Sequence, residues 1–224
     1  MGGKSSFGAA KNSLPYGGSM KEDVLTAASE LRDAIHDLAQ ITREVELGSE
    51  QLLAAKLLVE TASEKLQGNP LPHWSEKPQG SRKQTSKSYR SRSLFQGELH
   101  PFSPPVHWHL HSGPDGQPGY LFDTTLSSLY EGAPKSVHGG YIAGLYDELF
   151  GAVQSLAEGK TGYTGKLTIR YRSFTPTNKK LIFKGWVTQN SGRRISVKAT
   201  CHDGQRLCSE AEALFLRLEQ EGEL

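Results

Sequence analysis

The stretch "VHGGYIAGLYDELFG", Val137 to Gly151, reads as an apolar helix that is interrupted by glycines. Each glycine inside a helix costs about 1 kcal/mol relative to alanine. Gly140, Gly144, Asp147 and Gly151 nevertheless follow one another at i, i+4, i+7 and i+11, which places them on a single stripe. A stripe without side chains lets another chain, strand or ligand approach the helix backbone closely. Asp147 is the only charge on it.

The opposite face of the same segment is broad and apolar, which predicts a helix from about Gly139 to Glu158 with this face against a sheet. Glu148 projects about 100° away from Asp147 around the axis and is therefore less suited to the glycine stripe. The apolar face consists of Ile142, Leu145, Tyr146, Leu149, Phe150, Val153 and Leu156.

Around this helix the periodicity changes to the alternation that is typical of strands. Leu167, Ile169 and Tyr171, for example, alternate with polar residues. Short turns at "PTNKK", "NSGR" and "HDGQ" indicate an antiparallel meander, and one long helix on such a sheet is an α+β architecture. The predicted strands are 106–112 and 120–128 before the helix, and 163–174, 180–190, 194–202 and 207–218 after it.

The first half of the chain has a different composition. Residues 1–19 are predicted to be a disordered tail, 20–68 a helical hairpin with its break at Gly48-Ser49, and 69–97 a basic linker rich in Pro and Ser. The hairpin either packs on the main domain or mediates self-association or partner binding. The linker cations either meet the phosphates of an anionic ligand or are simply solvated.

Overall composition excludes some partners. The chain has 224 residues and a formal net charge of +2, so no global charge favours nucleic acid. No apolar run approaches the length of a membrane span, and the first residues lack the apolar core of a secretory signal, so we expect a cytoplasmic protein without stable membrane insertion. A two-residue turn at Asp203-Gly204 would place Cys201 opposite Arg206, so Cys208 is a poor disulfide partner and both thiols are expected to be reduced.

The start of the long helix has features that suit catalysis. "HGG", residues 138–140, leaves the first backbone N–H groups of the helix without partners, and the positive end of the helix dipole lies there. An amide that polarises a carbonyl and a carboxylate that activates water suit acyl transfer. Alternatively, the glycines only turn the chain and Asp147 pairs with a surface cation.

Three segments, "HGGYIAGLYDE", "TGKLTIRYRSFTP" and "NSGRRISVKATCHDGQRLCSEAEALFL", resemble the hotdog-fold acyl-CoA thioesterases of the PaaI-like branch. The resemblance runs from about Glu98 to Leu218. It implies an α+β hotdog domain over 98–224, in which a curved antiparallel sheet wraps a long central helix. It also implies a homodimer or a dimer of dimers whose sheets join, with the active sites at the interface.

The resemblance also implies roles for particular residues. By motif position, the N–H of Gly139 polarises the thioester carbonyl, and His138 shapes the turn. Asp147 is the general base or nucleophile, and Thr164 helps to orient the water. The implied reaction is hydrolysis of an acyl-CoA to a free acid and coenzyme A, without cofactor or metal.

The same motifs indicate the substrate-binding residues. They also show where this chain departs from the family pattern. We expect Gly140 and Gly144 to line the groove for the substrate, and Arg193 and Arg194 to meet the phosphates of coenzyme A or else to be ordinary turn arginines. Many members of the branch carry an asparagine six residues before the histidine as a second carbonyl donor, whereas this chain has Gly132. After the strand tyrosine, Phe174 replaces the frequent proline.

Other chemistries stay open at this point. His107, His109 and His111 lie on one face of a strand, and three imidazoles are ligands that zinc accepts, but no further ligand is evident. A hotdog enoyl-CoA hydratase or dehydratase would use a histidine with an acid. A non-catalytic acyl-CoA-binding or scaffold protein would recruit its partner through the helical hairpin.

Overall fold

The structure, a computed structural model, describes residues 22–69 and 90–217. The predicted tail at 1–19 and most of the predicted linker at 69–97 lie outside the described residues, as does the end of the last predicted strand. Three α-helices are described: α1 (Glu22–Glu44), α2 (Ser49–Lys65) and α3 (Gly139–Gln154). A short 3-10 helix, Ser128–Tyr130, precedes α3.

Six strands form one antiparallel sheet in the order β1-β2-β4-β5-β6-β3. The sheet therefore has β1 and β3 as its edges. The strands lie close to the predicted positions, and β4, β5 and β6 form the predicted meander. The prediction is wrong for β3, which pairs with β6, so the turn at "PTNKK" joins two strands that are not neighbours in the sheet. Their bounds are β1 (Val106–Ser112), β2 (Pro118–Thr125), β3 (Tyr163–Tyr171), β4 (Lys180–Ser191), β5 (Arg194–Asp203) and β6 (Arg206–Leu216).

The core forms where α3 packs across the middle of the sheet. Tyr146 and Phe150 are fully buried, and the Tyr146 ring meets Phe183 of β4 at 5.3 Å between centroids. Gly185 of β4 admits the helix, since a side chain there would lie 3.1 Å from Leu149. The buried face of α3 matches the predicted one within the helix, so the α+β layer architecture is confirmed.

The loop of the hairpin between β5 and β6 lies one residue later than predicted. Its two-residue loop is Gly204-Gln205, so Asp203 pairs with Arg206 and Cys201 pairs with Ser209. Gly204 takes the loop's positive φ of 58°. A bulge beside this pair changes the register, and both cysteines are buried free thiols as expected. A hydrogen bond with Cys201 lowers the pKa of the Cys208 thiol to about 6.

Helices α1 and α2 are present where the sequence predicts them, but they do not pack along each other as the arms of a hairpin would. No residue of either helix is buried. In α2, Leu57 and Leu58 are 62% and 73% exposed. Helix α1 contacts the main domain near the 3-10 helix, where His36 Nδ1 lies 2.8 Å from the Pro101 carbonyl oxygen. None of the described helices has the length and apolarity to cross a membrane.

Candidate active site

His138 caps the N-terminus of α3. Its Nδ1 accepts a hydrogen bond of 3.0 Å from the Gly140 N–H, which fixes the ring over the first turn. Within the described residues, the Gly139 N–H has no acceptor, so it remains available to a carbonyl oxygen. The position of Gly132 is crowded, because a side chain there would lie 2.9 Å from His138 Cα. The asparagine of related sequences does not fit at this position without a shift of the backbone.

Tyr171, at the end of β3, is a site residue that the sequence did not single out for a role. Its hydroxyl donates a hydrogen bond of 2.7 Å to the Gly139 carbonyl oxygen. Burial raises the pKa of Tyr171, which keeps the hydroxyl protonated as a donor. This contact holds the first peptide of α3 against the edge strand.

Asp147 and Thr164 are brought together by the tertiary structure. The Thr164 hydroxyl, near the start of β3, donates a hydrogen bond of 3.1 Å to Asp147 Oδ1. The other carboxylate oxygen, Oδ2, receives no hydrogen bond from the described residues, and both side chains are exposed. The pair therefore presents an oriented carboxylate at the surface, between α3 and the sheet edge.

The two ends of the candidate site are far apart within one chain. Gly139 and Asp147 are eight residues apart on α3, or about 12 Å along the axis at 1.5 Å per residue. The amide N–H must lie about 3 Å from the carbonyl oxygen that it binds. The water that the carboxylate activates must likewise lie about 3 Å from the carbonyl carbon that it attacks. The Gly139 N–H and the Asp147 carboxylate of the same chain therefore cannot act on one carbonyl.

The neighbouring acid, Glu148, has a different environment. The Ser93 hydroxyl donates to its Oε1 at 3.1 Å, and the Gln96 amide donates to its other oxygen. Burial raises the pKa of Glu148. These contacts hold Glu148 away from the glycine stripe, in line with the preference for Asp147 that the helix spacing indicates.

Residues 91–103, here called the strap, lie against α3 on the face that includes Glu148. Phe95 of the strap sits on Gly144, where a side chain would approach its ring to 2.1 Å. The same ring lies 5.1 Å from that of Tyr141. The strap thus covers the stripe at Gly144, while Gly140 and Gly151 on either side remain exposed. A substrate contact at Gly144 stays a prediction.

The turn between β4 and β5 places Arg193 and Arg194 at the end of the sheet that carries Thr164. Arg194 pairs with Leu216 of β6, and Leu216 pairs in turn with Tyr163 of β3. Two strand spacings, about 10 Å, therefore separate Arg194 from the start of β3. Their contact with phosphates stays a prediction.

Arg217, which the sequence did not single out, joins several segments at the end of the sheet that carries Thr164. Its guanidinium donates to the carbonyl oxygens of Gly192 and Glu158, each at 2.7 Å, and to Asn190 Oδ1 at 2.8 Å. Because these acceptors come from the β4–β5 turn and from the segment after α3, Arg217 ties the two together.

Two of the three β1 histidines contact an acid of β2. His107 and His109 flank the Asp123 carboxylate at 3.3 and 3.5 Å, and Lys180 is also 3.3 Å from it. In the part of the chain that the structure describes, no group of three or more acidic, histidine or cysteine side chains is arranged to hold a metal ion.

Solved structures share this architecture. A crystal structure of a thioesterase superfamily protein superposes with a TM-score of 0.62 and 24% sequence identity, over 89% of this chain and 96% of that chain. The chain has the hotdog fold. The fold that the sequence resemblance implied is therefore the fold that is observed, and the α+β expectation is confirmed. No family model matches the chain, and no curated protein matches it significantly.

Two further hotdog structures match a smaller part of the chain. Thioesterase superfamily member 2 from Mus musculus is 13% identical, over 49% of this chain and 80% of that chain, with a TM-score of 0.42. A variant of the phenylacetic acid degradation protein PaaI from Thermus thermophilus is 16% identical, over 50% of this chain and 93% of that chain, also with a TM-score of 0.42.

Proposed function

We propose that the chain is an acyl-CoA thioesterase that hydrolyses its substrate to a free acid and coenzyme A. The Gly139 N–H binds the thioester carbonyl oxygen and stabilises the oxyanion that forms in the transition state. Asp147 removes a proton from the attacking water or attacks the carbonyl itself, and Thr164 orients the carboxylate and the water. His138 holds the turn, and the reaction uses no metal or cofactor.

The observation that carries the proposal is the hydrogen bond between Thr164 and Asp147. It orients an exposed carboxylate that belongs to the glycine stripe of α3. A carboxylate that only paired with a surface cation would need a basic neighbour. The ion pairs of the described residues include none at Asp147.

The separation between Gly139 and Asp147 supports a site that is shared by two copies. β3 is an edge strand, and its Tyr163 and Tyr171 are 62% and 53% exposed. If two β3 strands pair antiparallel about a two-fold axis, the start of each strand lies opposite the end of the other. The Asp147–Thr164 pair of one copy then lies beside the Tyr171–Gly139 pair of its partner, and each active site takes its amide and its carboxylate from different chains.

The test is release of coenzyme A thiol from a panel of short, medium, long and aromatic acyl-CoAs. We expect Asp147→Asn to lower kcat by at least about 100-fold, because the uncharged amide neither accepts a proton nor attacks. Glu148→Gln is the matched control and should retain most of the activity. A folded wild-type protein that releases no thiol from any substrate would contradict the proposal, as would an active Asp147→Asn.

One observation favours a second candidate, a non-catalytic acyl-CoA-binding protein. Gly132 cannot supply the second carbonyl donor of related sequences, and its site has no room for a larger residue. Saturable binding of acyl-CoA without thiol release would support this alternative. A hydratase is less compatible with the site, because His138 Nδ1 is already occupied by the Gly140 N–H. Turnover of crotonyl-CoA without thiol release would revive it.

A further inference from the structure

A cavity of about 320 Å³ opens directly beside the start of α3. Its walls come from the strap, from the 3-10 helix and the residue after it, and from the first turn of α3 with its cap. The lining is mostly apolar and aromatic. It consists of Phe102, Leu129, Tyr130, Glu131, His138 and Tyr141.

The walls of this cavity are fixed by contacts among themselves. The Tyr141 hydroxyl donates a hydrogen bond of 2.7 Å to the Phe102 carbonyl oxygen, which joins the strap to α3. The rings of Tyr130 and Tyr141 are 4.6 Å apart, and Phe95 on Gly144 supports Tyr141 from the other side. The cavity is therefore bounded by packed rings, and Phe102 is the wall that the strap contributes.

We infer that this cavity receives the acyl group of the substrate, and that Phe102 sets the size of acyl group that fits. The inference rests on the proposed function, which places the thioester carbonyl at the Gly139 N–H. His138, the residue directly before Gly139, lines the cavity. An acyl chain that extends from the carbonyl toward His138 enters an apolar space, where each methylene removed from water strengthens binding.

The charge of the cavity narrows the substrate class. Glu131 lines it and is anchored from behind, since its Oε1 accepts a hydrogen bond of 2.6 Å from the Lys135 N–H. Its other oxygen lies 3.8 Å from the Arg43 guanidinium of α1. A carboxylate at the far end of a dicarboxylic acyl group would enter beside this acid and lose its hydration. The cavity therefore selects uncharged apolar acyl groups.

The experiment measures binding of non-hydrolysable alkyl-CoA thioethers to the full chain by calorimetry. Propyl-CoA and octyl-CoA are compared, together with an octyl-CoA analogue that ends in a carboxylate. We expect the wild type to favour octyl-CoA over both others. Phe102→Trp narrows the cavity, and it should weaken octyl-CoA binding by about tenfold while it leaves propyl-CoA binding unchanged.

Two further variants complete the design. Leu129→Trp narrows the same cavity from the 3-10 helix and should reproduce the effect. Leu94→Ala is the control, because Leu94 lies on the strap outside the cavity and is 43% exposed, against 39% for Phe102. An unchanged chain-length preference in both tryptophan variants would overturn the inference. Thioether binding does not depend on turnover, so a chain that binds in this way but releases no thiol would reject only the proposed function.

Discussion

Asp147 and Thr164 illustrate how one tertiary contact gives a surface carboxylate an orientation. We predict that Thr164→Val lowers kcat by about tenfold, since a hydrogen bond to a charged group contributes about 1.5–3 kcal/mol and part of it is regained from water. Thr164→Ser keeps the hydroxyl and should retain most of the activity. The measurement is thiol release at saturating substrate; equal rates for the valine and wild-type proteins would exclude an orienting role.

Glu148 gives a prediction about pH and stability. Burial raises its pKa in the folded state above the usual 4.5, so the folded protein binds this proton more tightly than the unfolded chain does. At neutral pH the buried charge therefore costs stability, and that cost disappears as the pH falls through the folded pKa. Glu148→Gln should have the higher Tm at pH 7 and should lose its advantage below about pH 4.5. A difference that is constant with pH would contradict this.

At the scale of elements, the strap and α3 are joined at Gly144. Gly144→Ala places a methyl group into the Phe95 ring and should destabilise the fold by about 1–3 kcal/mol, measured by denaturant unfolding. In a Phe95→Ala background the penalty should vanish, because the ring is gone. Gly151→Ala is the matched control: a side chain there meets nothing within 4 Å, so it should stabilise the helix by up to about 1 kcal/mol. Similar penalties at both glycines would exclude the Phe95 contact.

The whole molecule is tested by mixing two inactive variants. Gly139→Pro removes the N–H at the first helical position, where proline is well tolerated and where His138 already has the extended backbone that must precede it. Asp147→Ala removes the carboxylate. If the site is shared, a co-expressed equimolar mixture should recover about a quarter of the wild-type activity, since half of the dimers then contain one intact site. Gly139→Ala keeps the N–H and serves as the control.

The outcome of the mixing experiment distinguishes an active site within one chain from an active site that two copies share. If each chain contains a complete site, the hybrids contain none that is intact and the mixture stays inactive. Recovery would instead show that the amide and the carboxylate come from different copies. Size-exclusion chromatography should show a dimer for each variant, so that loss of activity is not confused with loss of assembly.

The sequence by itself determined the features that depend on local spacing. The apolar face of α3 and the alternation in β5 follow from residues a few positions apart, and each lies where the pattern predicts. The edge strand β3 does not show the predicted alternation in its burial, and its Tyr171 is 53% exposed. The preference for Asp147 over Glu148 also comes from local spacing, and it stays a prediction. Local spacing did not, however, predict the register of the β5–β6 hairpin, because the two-residue loop is Gly204-Gln205 instead of Asp203-Gly204, and a bulge at Cys201 then shifts the pairing by one further residue.

Only the tertiary structure decided the contacts between distant parts of the chain. Phe95 on Gly144, Tyr171 on Gly139 and Thr164 on Asp147 each join segments that local patterns treat separately. The separation of α1 from α2 is also a tertiary result, because their apolar stripes predict a buried face whereas no residue of either helix is buried. The physical reason is that hydrophobic burial is non-directional, so partners are selected by the shape of the whole fold.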